Sequence, residues 1–204
     1  MKEKLKIKPS DELSGYASGM LMMAFFTSIW TVIAYGGLKE SLYKYALILF
    51  LILVVIIASY AFRFLKESKR YSDENGKFVA EVDKKSDKRY MWLCIGEGLG
   101  IFIGINIVIN LGYPDLVIPV IALVVGLHFF PLGWLFKRKQ DYYIGTWSTI
   151  IAICGIVFSI YGLTSHSFVV TIIGVGMAMA TSVYGFSMLI RGLQVPIAQG
   201  LSSK

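Results

Sequence analysis

Six stretches of about twenty apolar residues decide what this chain can become. They lie at about residues 15–36, 42–64, 91–111, 116–136, 143–163 and 168–190. A helix needs roughly 20 residues to cross a hydrocarbon core of about 30 Å. Inside a bilayer, only a helix or a closed barrel pairs every backbone N–H and C=O. The expected fold is therefore all-α: a polytopic membrane protein, one transmembrane domain over residues 1–204, with six transmembrane helices arranged as three consecutive hairpins. Of the 204 residues, 56% are hydrophobic and 16% are charged, where ordinary globular domains hold about a quarter. Mean hydropathy is +0.66.

Charge placement predicts the orientation. Of 20 Lys and Arg residues, four precede the first span and nine lie between Arg63 and Arg89. Lys137, Arg138 and Lys139 follow the fourth span, and Arg191 and Lys204 follow the sixth. Only Lys39 and Lys44 belong to the other side. The positive-inside rule then puts both termini in the cytoplasm. The same bias accounts for the net charge of +7, so nucleic acid is not an expected partner. The basic start resembles the charged end of a signal peptide. The run behind it is too long for a signal's apolar core, and it reads as an uncleaved span.

The connections on the expected outer side are short: "GGLKES", "GYPD" and "TSHS". Spans one, three and five each end with a glycine beside an aromatic residue, which suits either a hairpin repeat or ordinary interface preference. The charged 65–90 segment is expected to be a cytoplasmic loop. It reads as a solvated linker drawn to anionic lipid, with Asn75-Gly76 and Lys77 to Val82 as a competing hairpin signal.

Glu97 is the anomaly. It sits inside the run "MWLCIGEGLGIFIGINIVIN", whereas the other twelve acidic residues fall in connections, tails or span ends. A carboxylate at the centre of a span costs about 2.5–3.5 kcal/mol on insertion scales and usually faces the bundle interior. Gly96, Gly100 and Gly104 form a stripe of small residues for close helix packing. Gly100 and Gly104 lie on nearly the same face as Glu97, and Asn106 and Asn110 lie roughly opposite. The expected partner of Glu97 is His128. Glu97 is 16 residues before Tyr113 and His128 is 15 after it, so in a hairpin both lie about 22–24 Å from the turn. Pro131 removes a backbone bond and frees the Leu127 carbonyl beside His128, which makes it a candidate hinge. Tyr184 reaches a similar depth, with Thr181, Trp147, Ser148, Ser59 and Tyr60. Each of these also has an ordinary reading, as interface aromatics or as hydroxyls bonded to their own helix.

The candidate ligand- or proton-binding residues are thus Glu97, His128 and Tyr184. No catalytic residue, metal site or cofactor is indicated. The chain has no G-x-x-x-x-G-K-[ST] or H-E-x-x-H motif, no G-x-S-x-G elbow, and no third ligand for catalytic zinc. Cys94 and Cys154 read as small apolar residues.

His128, Phe129, Pro131, Leu132, Tyr142, Tyr143 and Gly145 form an H-F-x-P-L segment, a basic turn and a Tyr-Tyr-x-Gly start. This resembles a pattern in small bacterial multi-pass membrane proteins to which no activity is attached. The resemblance covers about 20 residues. It implies a bacterial cytoplasmic-membrane protein and leaves Glu97 outside the matching run.

Three functional classes fit these residues. The first is a proton- or cation-linked solute transporter or channel-like protein using Glu97 and His128. The second is a non-catalytic subunit that docks a membrane partner or a second copy. The third is a lipid-modifying enzyme. A polar cavity reaching Glu97 would favour the first, and an exposed glycine groove beside it the second.

Overall fold

A computed structural model of the chain describes residues 9–38, 42–74 and 84–195. Among these it is all-helical. The long helices are α1 (Pro9–Leu38), α2 (Ile48–Glu74), α3 (Lys84–Asn110), α4 (Val117–Phe136), α5 (Lys139–Ile160) and α6 (His166–Leu193). Short 3₁₀ segments, Leu42–Leu47 and Pro114–Leu116, lead into α2 and α4. Six helices, counting those lead-ins, are long and apolar enough to cross a membrane.

Two helices extend well into the segment expected to be a loop. α2 continues to Glu74 and α3 begins at Lys84. The reason is local: between residues 65 and 74 the sequence holds no Gly or Pro to stop a helix. The Asn75-Gly76 signal and all of Lys77 to Val82 lie outside the described residues.

The turns follow helix-end chemistry. At the end of α3, Gly112 takes the left-handed conformation (φ 79°), and Tyr113 N–H bonds the Val108 carbonyl at 2.8 Å. At the end of α5, Gly162 does the same (φ 59°), and Leu163 N–H bonds the Phe158 carbonyl. Both are glycine-terminated Schellman-type ends. α4 ends in the same way, but Lys137 occupies the left-handed position (φ 53°), a conformation costing about 1–2 kcal/mol without glycine. Its positive charge suits a helix C-terminus.

α6 is the central helix. It packs against α1, α2, α4 and α5, and 67% of its most apolar window is buried, against 6% for α3. Glycine permits close approach: at Gly174 a Cβ would lie 2.5 Å from the Ala34 nitrogen on α1. α4 and α5 meet in the same manner, with Gly126 against Thr149 and Ser148, and Gly145 against Phe129. Such small-residue seams replace the hydrophobic driving force that a bilayer does not supply between helices. α3 is peripheral and packs mainly on α4.

Contacts also define the two ends of the bundle. Ser68 Oγ on α2 donates to the Ser10 carbonyl at 2.8 Å. Arg191 on α6 donates to Gln140 on α5 at 3.0 Å. The Tyr90 ring on α3 lies 5.9 Å from that of Phe136 on α4. One end therefore gathers Arg138 and Arg191. At the other end, His166 Nδ1 lies 3.2 Å from Asp115 Oδ1.

Candidate functional site

At the basic end, the two-residue link between α4 and α5 builds a polar centre. Lys137 closes α4, and Arg138 is extended as the residue before α5. Asp141 then falls in the first turn of α5, where the helix dipole favours a carboxylate. Asp141 is 0% exposed. Its Oδ1 accepts a hydrogen bond from the Tyr184 hydroxyl on α6. Its Oδ2 lies 3.2 Å from Arg138 Nε as an ion pair, without the alignment of a hydrogen bond. Arg138 also stacks over the Phe136 ring at 4.5 Å, a cation–π contact.

Further polar groups surround this centre. Gln140 Oε1 accepts from both Arg191 Nη2, at 3.0 Å, and Ser187 Oγ. Tyr16 on α1 donates to Glu12 at 3.2 Å. Both guanidinium groups lie within electrostatic range of the Tyr16 and Tyr184 phenols.

Polar side chains continue inward along the α1–α6 seam. Thr27 Oγ1 and Thr181 Oγ1 are buried and lie 2.8 Å apart. Thr31 Oγ1 donates to the Thr27 carbonyl at 2.7 Å, and Thr181 Oγ1 also contacts the Met177 carbonyl at 3.0 Å. Ser148 and Ser182 are buried with hydroxyls that make no hydrogen bond. Leaving such a group unpaired costs about 1–3 kcal/mol. Toward the far end, Thr31 lines a 520 Å³ cleft with Tyr35, Lys44 and Tyr45. Thr171 lines a 540 Å³ cleft with Gly37, Ser167 and Phe50.

The expected residues divide between two places. Glu97 Oε2 and His128 Nε2 face each other across the α3–α4 seam at 3.6 Å. Their side chains keep 18% and 10% of their exposure. Tyr184 is not part of this pair. The buried Phe129 ring lies 6.5 Å from His128 and 5.8 Å from Tyr184, and the Tyr184 hydroxyl goes to Asp141. Gly100 and Gly104 lie against Val124 and Val120 of α4, whereas Gly96 has nothing within 4 Å. Helical phase explains the split, because Gly96 is about 100° round the axis from Glu97 and away from α4. Pro131 lies inside an uninterrupted α4. Asn106 and Asn110 bond back to the Phe102 and Asn106 carbonyls, each at 2.7 Å. Neither described cleft is lined by Glu97 or His128.

Asp141 is the residue that sequence reasoning passed over, because it stands at a span end among basic residues. A signal was present. The buried positions of α5 are Asp141, Ile144, Gly145, Ser148, Ala152 and Gly155. Asp141 therefore heads an inward, mostly small-residue stripe at helical spacing, three residues after an arginine.

Comparison of the chain with protein-family models, curated proteins and solved structures finds no match in any of the three. The functional reading therefore rests on these residues.

Proposed function

We propose that this protein is a small proton- or cation-linked solute transporter or channel-like protein of a bacterial cytoplasmic membrane, with both termini cytoplasmic. The observation that carries this reading is a polar ladder along α6 that passes through the buried α1–α6 seam. It runs from Arg191 and the Asp141–Tyr184 pair through Thr181 and Thr27 to the clefts beside Thr31 and Thr171. From residue 171 to 191 a helix rises about 30 Å, the thickness of the hydrocarbon core. Buried ionisable groups in such a bundle mark substrate or ion pathways. The working carboxylate is Asp141, with Arg138 as its displaceable counter-ion. Glu97 and His128, on the outer seam, are a second ionisable element.

The test is thermal unfolding of the purified protein in mild detergent over a panel of cations and small solutes, followed by flux in proteoliposomes. A ligand at 100 times its Kd stabilises by about 2.7 kcal/mol, enough for a clear rise in the midpoint. That rise and the flux are expected in the wild type. Both should be lost in Tyr184→Phe, which removes only the hydroxyl. A wild type that responds to nothing and carries no flux overturns the transport reading. Glu97→Gln is expected to fold normally and to change stability by about 1 kcal/mol or less, because the 3.6 Å contact with His128 is longer than a hydrogen bond and the amide is nearly isosteric. A loss well above that in the same unfolding assay would make the pair a structural tie.

A second reading, a non-catalytic subunit that docks another membrane protein, is favoured by one observation. α3 is almost unburied, and Gly96 and Gly98 beside Glu97 have nothing within 4 Å.

A further inference from the structure

The outward side of α3 has a pattern of its own. Trp92, Ile95, Leu99, Phe102, Asn106 and Ile109 are spaced three and four residues apart in strict alternation. All six are exposed. This is the spacing of one side of a two-helix seam, in which knobs from one helix enter holes on the other. Its opposite face is already used: Gly100, Gly104 and Val108 turn inward, the glycines against α4.

Lipid is a satisfactory neighbour for five of these six positions, but not for Asn106. Its Nδ2 makes one hydrogen bond, to the Phe102 carbonyl at 2.7 Å. A carboxamide has a second N–H and an oxygen with two lone pairs. In hydrocarbon those groups have nothing to bond to, and such groups drive helix pairing in membranes. A single asparagine in an otherwise apolar seam also specifies register and copy number.

The asparagine indicates which partner fits. Copies of one chain share one orientation in the membrane, so identical residues lie at identical depth. Around a two-fold axis along the membrane normal, Asn106 meets Asn106. A carboxamide is self-complementary, since each copy offers a donor to the other's acceptor. The contact is isologous, as a two-fold dimer requires.

We propose that α3 is the self-association face of this protein: two copies pair in parallel along Ile95, Leu99, Phe102 and Ile109, with Asn106 hydrogen-bonded to its counterpart at the axis. The pairing leaves the α1–α6 seam of each copy untouched and is independent of the transport reading.

The experiment uses the full chain in lipid vesicles. In a Cys94→Ser, Cys154→Ala background, single cysteines are placed at Leu99, Phe102 and Asn106, and as controls at Val32 on α1 and Ile150 on α5. The controls are equally lipid-facing, at 68% and 56% exposed. Oxidation is expected to give disulfide dimers from the α3 positions and none from the controls. Energy transfer between labelled copies then reads the dissociation constant. Asn106→Leu should raise it about tenfold, whereas Asn106→Gln, which keeps the carboxamide, should raise it less. Because the side chain is exposed, the thermal midpoint of the monomer should not move. The proposal falls if the wild type stays monomeric at every protein-to-lipid ratio, or if Asn106→Leu associates like the wild type. It also falls if dimers form through the controls, or if the α3 cysteines capture only a different membrane protein.

Discussion

Replacing Arg138 with Met is expected to destabilise the protein by about 3–5 kcal/mol, the range for removing one partner of a buried ion pair. The reason is the asymmetry of the pair. Asp141 is 0% exposed, whereas the Arg138 side chain keeps 30% of its exposure. Without Arg138 the carboxylate stays sealed between α4, α5 and α6, with the Tyr184 hydroxyl as its remaining close partner. Without Asp141 the guanidinium can turn toward the aqueous edge and keeps its stacking on Phe136. Asp141→Asn should therefore cost less than Arg138→Met, since the amide oxygen still accepts from Tyr184. The double variant should recover part of the Arg138→Met loss, because no uncompensated charge remains. Reversible unfolding in detergent for the two single variants and the double gives the coupling directly. If Arg138→Met unfolds like the wild type, Arg138 is not the counter-ion that holds the α4–α5 corner.

The second large effect is steric and lies at the other end of the central helix. A Cβ at Gly174 would stand 2.5 Å from the Ala34 nitrogen and 2.7 Å from its Cα. Those are backbone atoms, so no rotamer change relieves the contact and α1 and α6 must separate. Gly174→Ala is expected to cost at least the roughly 1–3 kcal/mol of ordinary overpacking, and Gly174→Val should leave little folded protein. Gly96→Ala is the matched control. It adds the same methyl group to a helix of the same protein, but into open space. Helix propensity then favours alanine by up to about 1 kcal/mol. Midpoints measured side by side should move in opposite directions. Equal shifts would mean that α1 and α6 are not held as closely as Gly174 and Ala34 indicate.

Both effects depend on contacts that the sequence announces only weakly. The glycines of α3 draw attention because they flank Glu97 in an apolar run, yet Gly96 touches nothing. Gly174 stands in the unremarkable stretch "IIGVGMA" and meets the Ala34 backbone in the central seam. The difference is which helix lies opposite, and no property of α3 or α6 alone contains that information.

The helices themselves needed no tertiary information. Six apolar runs of about twenty residues have the length of bilayer-crossing helices, which pair their own backbone groups. Gly112 and Gly162 stop them where the chain must turn left-handed. The equal depth of Glu97 and His128 also followed from counting, because helical rise is constant and the connection is short. Tertiary structure decided everything that depends on rotation about those helix axes and on the order of packing. It set α6 at the centre and α3 at the edge. It gave Tyr184 to Asp141 across the α5–α6 contact, with the Phe129 ring 5.8 Å from Tyr184 and 6.5 Å from His128. It also sealed Asp141, a span-end carboxylate, more completely than Glu97 in mid-span. Hydropathy reports how far a residue sits along a helix. Burial depends on what lies across from it, and for Asp141 that is the Tyr184 hydroxyl and the Arg138 guanidinium.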